Sequence, residues 1–66
     1  MKNRIKIERA ILDITQEELA NRIGVSRQTV NSIEKNRYVP STVLALKISK
    51  IFEKTVNEIF ELEETD

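Results

Sequence analysis

Apolar residues recur along this chain at three- and four-residue intervals, and the polar residues between them fall where helix caps are needed. Ile5, Ile7, Ile11 and Leu12 set a partly helical pattern from about residue 3 to Asp13. Thr15 with Glu18 three positions on forms a capping box, in which hydroxyl and carboxylate each take up a backbone N–H left free at a helix start. It opens a second helix to Ile23 whose inward stripe is Leu19, Ala20 and Ile23. Gly24, able to adopt positive φ without steric cost, predicts a tight turn. Ser26 caps a third helix over roughly Arg27 to Lys35, with Val30 and Ile33 facing inward. Residues 36–41, NRYVPS, read as a loop, because the residue before Pro40 is pushed out of the helical region. Ser41 caps a fourth helix carrying Leu44, Ala45, Ile48 and Ile51. A second capping box, Thr55 with Glu58, opens a short final helix through about Phe60. The last residues alternate weakly and predict a short C-terminal edge strand or a frayed end. The expected fold class is therefore all-α: one compact five-helix domain over residues 1–66.

Composition narrows what such a domain does. With 66 residues, 39% of them hydrophobic, one small core is all the chain can close. It has no cysteine and no histidine, which excludes disulfides, zinc sites with such ligands, thiol nucleophiles and imidazole acid–base chemistry. There is no glycine-rich loop either, so an enzyme is not expected and neither is a cofactor. Glu61, Glu63, Glu64 and Asp66 lack a fixed loop to position them, so no metal site is expected there. No apolar stretch approaches the roughly 18 residues of a membrane span, and MKNRIKIERA lacks the apolar run of a signal peptide, so a cytoplasmic protein without a membrane partner is expected. Net charge is zero but unevenly spread. Residues 1–52 hold ten Lys or Arg against five Asp or Glu, for +5, while residues 53–66 hold one Lys against six acids, for −5. A polyanion responds to the local field, and the body of the chain is basic.

The 16–35 stretch carries the functional signal. A helix-turn-helix unit crosses two helices at a steep angle about a three- or four-residue turn and leaves the second free to enter a major groove. That geometry needs a small residue at the crossing (Ala20), positive φ at the turn (Gly24) and an apolar lining (Leu19, Ile23, Val25, Val30, Ile33), all present at these spacings. The outward face of the second of these helices holds Arg27, Gln28, Asn31 and Ser32, more hydrogen-bonding side chains than packing requires. Arg can bond guanine bidentately, and Gln or Asn adenine. Ser26 is expected to cap first and contact DNA second, and Thr29 to bond phosphate or to pack its methyl group.

The segments TQEELANRIGVSRQTVNSIEKN and VPSTVLALKISKIF closely resemble the Cro/CI-type, or XRE, helix-turn-helix family of transcription regulators, over about residues 4–60 and most of all its short stand-alone members. The resemblance implies a lambda-repressor-like DNA-binding domain, acting as a nucleoid-associated homodimer on a palindromic operator in double-stranded DNA, more as repressor than activator. It implies that Gln16 bonds a DNA phosphate, and that Lys35, Asn36 and Arg37 grip the backbone after the recognition helix. It also implies that Arg9 salt-bridges Glu34 and so orients that helix. Tyr38 is expected to cover the core. Val56, Ile59, Phe60 and Leu62, in a segment of about 55–63, are more apolar than a terminal turn should expose, so they are expected at a dimer interface, with Ile59 mainly core. An antitoxin, a restriction-modification controller or a protein-interaction module built on the same shape are the alternatives. No small-molecule pocket is evident in so small a core.

Overall fold

The computed structural model describes residues 1–66. Its elements follow the caps. Helix α1 spans Ile5–Leu12, α2 Gln16–Ile23, α3 Arg27–Glu34, α4 Thr42–Phe52 and α5 Val56–Ile59. Two short strands, β1 (Lys2–Asn3) and β2 (Phe60–Glu61), pair antiparallel with Lys2 opposite Glu61 and Asn3 opposite Phe60. The domain is mostly helical, as expected, with the C-terminal strand in place. Its N-terminal partner was not foreseen, and it moves the start of α1 from about residue 3 to Ile5.

Every polar cap read from sequence closes. Thr15 Oγ1 accepts from the Glu18 N–H at 3.0 Å, Ser26 Oγ from the Thr29 N–H at 3.1 Å, Ser41 Oγ from the Leu44 N–H at 3.1 Å and Thr55 Oγ1 from the Glu58 N–H at 3.2 Å. Glu58 returns the favour at α5 by accepting from the Thr55 N–H, and this holds its carboxyl below the usual carboxylate range. Gly24 ends α2 in the left-handed region at φ 74°, its N–H bonded to the Ala20 carbonyl. A Cβ there would meet nothing within 4 Å, so only the backbone resists a side chain. Gly24→Ala should therefore cost about 1 kcal/mol and Gly24→Asn less, measured as urea midpoints at unchanged slope.

The core joins all five helices: Ile5, Ile14, Leu19, Ala20, Ile23, Val30, Ile33, Leu44, Ile48, Phe52, Ile59 and Phe60. Two of its contributors correct the sequence reading of α4. Phe52, on the same stripe as Leu44 and Ile48, is buried, whereas Ala45 and Ile51 are only partly so. On α1 the apolar pattern does not mark the inward face: Ile7, Ile11 and Leu12 are exposed, while Ile5 and the charged Glu8 are buried. Two polar anchors set that rotation. Glu8 Oε2 accepts from Lys54 Nζ at 2.9 Å, tying α1 to the α4–α5 turn, and Arg9 reaches across to the end of α3. A buried carboxylate without a cation would be far costlier than two exposed isoleucines.

The acidic C-terminal residues gather at the Met1 α-ammonium, 3.0 Å from Asp66 Oδ1 and 3.2 Å from Glu63 Oε1. No helix is long and apolar enough to cross a membrane.

Candidate nucleic-acid interface

Helices α2 and α3 pack directly on one another, with Ala20 and Gly24 at their junction and Leu19, Ile23, Val30 and Ile33 sealing the inner side. Eight residues of α3 at 1.5 Å each make a rod of about 12 Å, comparable to the width of a major groove. Its outward face presents Arg27 and Gln28, both exposed, with Asn31 and Ser32 half-buried behind them. Lys35 caps the helix, and Asn36, Arg37 and Tyr38 follow in an exposed turn. Arg27, Lys35 and Arg37 take part in no ion pair, so their charges remain available to an incoming anion.

The two sides of the helix differ. A concavity between the starts of α2 and α3 is lined by Arg9, Asp13, Ile14, Thr15, Gln16, Glu17 and Arg27, a mixed field. On the other side Gln28, Ser32, Arg37 and Tyr38 line a concavity in which Arg37 carries the single charge. Tyr38 thus does not act as the core cover expected of it: it is 47% exposed and stands beside the recognition face, because the turn through Asn36 swings it outward.

Arg9 and Glu34 form the expected bridge, bidentate at 2.7 Å (Nε to Oε2) and 3.1 Å (Nη2 to Oε1). Their side chains are only 15% and 7% exposed. The Glu34 hydrogen bonds raise the Arg9 pKa further above its ordinary value. Arg9 Nη1 also donates to the Ile14 carbonyl at 3.1 Å, which fixes the α1–α2 turn against the same pair.

Gln16 departs from its expected place at a DNA phosphate. Its Nε2 donates to Glu34 Oε1 and to Asn31 Oδ1, each at 3.2 Å, so both hydrogens are used inside the protein and only an acceptor oxygen remains, which repels phosphate. Ser26 caps α3 as expected, and its hydroxyl also shares a hydrogen bond with Thr29 Oγ1 at 2.9 Å. Asn36, expected at the DNA backbone, ends α3 in the left-handed region at φ 59° and accepts from Asn3 Nδ2 at 3.1 Å. Asn3 also donates to the Ile33 carbonyl at 2.8 Å, so the N-terminal strand is pinned to the end of the recognition helix, a link that sequence reading missed.

The expected dimer segment is divided by the fold. Ile59 and Phe60 belong to the protomer's own core, Ile59 as expected and Phe60 as a correction, because β2 turns the Phe60 ring inward opposite Asn3. Val56 is half-buried and Leu62 exposed. Sequence reading did not single out a nearby apolar surface formed by Val39, Val43 and Leu46, all exposed. Val39 and Leu46 share a shallow apolar pocket with Met1, Pro40, Ala45 and Val56.

A family model described as helix-turn-helix matches residues 5–59. The chain is 48% identical over 66 residues to an uncharacterized HTH-type transcriptional regulator of Methanocaldococcus jannaschii, with all of both chains covered. It is 52% identical over 64 residues to another of Bacillus subtilis, covering 97% of each, and 46% identical over 66 residues to one of Archaeoglobus fulgidus, covering all of this chain and 93% of that one.

Proposed function

Because the chain belongs to the XRE-type helix-turn-helix transcriptional regulators, we propose that it is a homodimeric repressor that reads a palindromic operator through the major groove. It acts by occupancy rather than catalysis, in the cytoplasm at the nucleoid. The observation that carries this reading is the outward face of α3: hydrogen-bonding side chains at Arg27, Gln28, Asn31 and Ser32, followed by unpaired cations at Lys35 and Arg37, on a frame fixed by the Arg9–Glu34 bridge. A face built to receive another protein would instead offer apolar anchors there.

Roles divide along the helix. Gln28 and Arg27, exposed at its start, reach base edges, with Ser32 beside them. Lys35 and Arg37 hold phosphates, and the hydroxyls of Ser26 and Thr29 support the entry of the helix. The longest dimension of the protomer is 31 Å, and it carries one recognition helix. Successive major grooves on one side of a duplex lie about 34 Å apart, so reading two of them takes two copies. The surface of Val39, Val43 and Leu46, with Val56 and Leu62, is the apolar face a second copy would cover.

Selection from a randomised duplex pool at about 0.15 M salt tests the reading. A palindrome is the expected product, and a folded dimer that enriches nothing would overturn it. Gln28→Ala should then relax preference at particular base pairs, at a cost of about 1–3 kcal/mol on the best site. Lys35→Ala should weaken binding to every sequence and lower the salt slope by about 1. If both variants changed the selected sequence alike, the division of roles would be wrong.

A further inference from the structure

We propose that Asn31 reads guanine, as a pure hydrogen-bond donor to N7 and O6, and that Gln16 is the positioning residue that turns it that way; the assignment rests on the DNA-binding reading above. The chain of reasoning begins at Glu34. A carboxylate only accepts hydrogen bonds. Glu34 Oε2 accepts from Arg9 Nε, and Oε1 accepts from Arg9 Nη2 and Gln16 Nε2. The Gln16 nitrogen therefore must face Glu34, because the opposite orientation would set its carbonyl oxygen against the anion. That nitrogen carries two hydrogens, and the second is directed at the Asn31 side chain 3.2 Å away. Asn31 must answer with an acceptor, since its own NH2 group in that place would put donor against donor. Its Oδ1 is accordingly turned to the protein.

The outward consequence is chemical. Asn31 Nδ2 has no partner within the chain, and no side-chain nitrogen or oxygen is buried without one, so this group stands open to solvent at the recognition face. The bidentate asparagine–adenine contact needs both ends of the amide directed at the base, one accepting from N6 and one donating to N7. Here only the donor end is free. Guanine offers two adjacent acceptors, N7 and O6, which match the two hydrogens of one NH2 group. Adenine N7 and thymine O4 offer one each, and cytosine presents a donor that the group cannot meet. Arg9, Glu34 and Gln16 thus transmit a fixed polarity from the core to one position of the reading face, and none of the three needs to touch DNA.

The test is the selection above, run with the unaltered protein, Asn31→Ala and Gln16→Ala. The unaltered protein should prefer guanine about tenfold at one position of each half-site, and Asn31→Ala should flatten that position alone. Gln16→Ala frees the amide to turn and should move the same position toward adenine, leaving the others unchanged. Adenine at that position with the unaltered protein, or a guanine preference that survives Gln16→Ala, would overturn the assignment while the DNA-binding reading stands. Failure of the unaltered protein to enrich any sequence would overturn that reading and the assignment together. A second readout needs neither DNA nor a variant: by NMR the Gln16 side-chain amide protons should exchange with water more slowly than those of Asn31. The reverse order would overturn the proposed orientation.

Discussion

Replacing Arg9 by methionine should destabilise the domain by about 3 kcal/mol or more, read from urea unfolding followed by circular dichroism. The side chain of Glu34 is 7% exposed, and without the guanidinium its carboxylate would remain desolvated with only Gln16 Nε2 to satisfy it. Removing one partner of a buried pair typically costs about 3–5 kcal/mol, much of it the penalty for the charge left behind. Methionine keeps part of the aliphatic volume, so the loss reports chiefly on the pair and on the bond from Arg9 Nη1 to the Ile14 carbonyl. For a domain whose whole stability is of order 5–15 kcal/mol, that is a large share. The double variant Arg9→Met/Glu34→Leu should recover part of the loss, because it removes the stranded charge as well as the bridge. A single variant that cost under about 1 kcal/mol would place the pair among solvated surface bridges and remove the basis for treating it as the frame of the recognition helix.

The same pair shows how far local reading reaches. Caps at Thr15, Ser26, Ser41 and Thr55 were legible because each needs only a residue and its neighbour three positions on, and all four close. The helix-turn-helix was legible because Ala20, Gly24 and the apolar residues around them satisfy one geometry jointly, and the turn has the required positive φ. Arg9 and Glu34 are 25 residues apart and became legible through family resemblance, which supplies the distant partner that periodicity cannot. Where no such guide existed, long-range partners decided the outcome. Glu8 looked like a surface charge until Lys54, 46 residues away, took it into the interior and turned Ile7 and Ile11 outward. Phe60 looked like free apolar surface until β1, from the other end of the chain, paired with its strand. Gln16 was placed by its counterparts at a phosphate, but Glu34 and Asn31 compete for its hydrogens, and a competition between side chains on two helices leaves no mark in sequence spacing.

Leu46→Glu should abolish self-association and lower operator affinity by at least 100-fold while leaving the protomer folded. Leu46 is 57% exposed, so the protomer's own core does not depend on it. With Val39 it borders the shallow pocket that reaches Ala45 and Val56, and Val43 stands one helical turn before it on α4. A stable dimer of ordinary size covers about 800 Å² on each partner, roughly a sixth of this protomer's 4727 Å². At a two-fold contact the substitution acts twice, burying one new carboxylate from each copy against the same apolar surface. Sedimentation should then give the mass of one chain, with the helical circular dichroism signal unchanged. The loss of affinity follows from geometry rather than from any lost DNA contact. Once one half-site is bound, a tethered second copy meets the other at an effective concentration near millimolar, an advantage of about 10²–10⁴ that vanishes when the copies part. Affinity for an isolated half-site should be unchanged, which separates this effect from damage to the reading face. A dimeric mass that persists in Leu46→Glu would move the interface away from α4 to the Leu62 end of the chain, where Leu62→Glu would then be expected to produce the monomer.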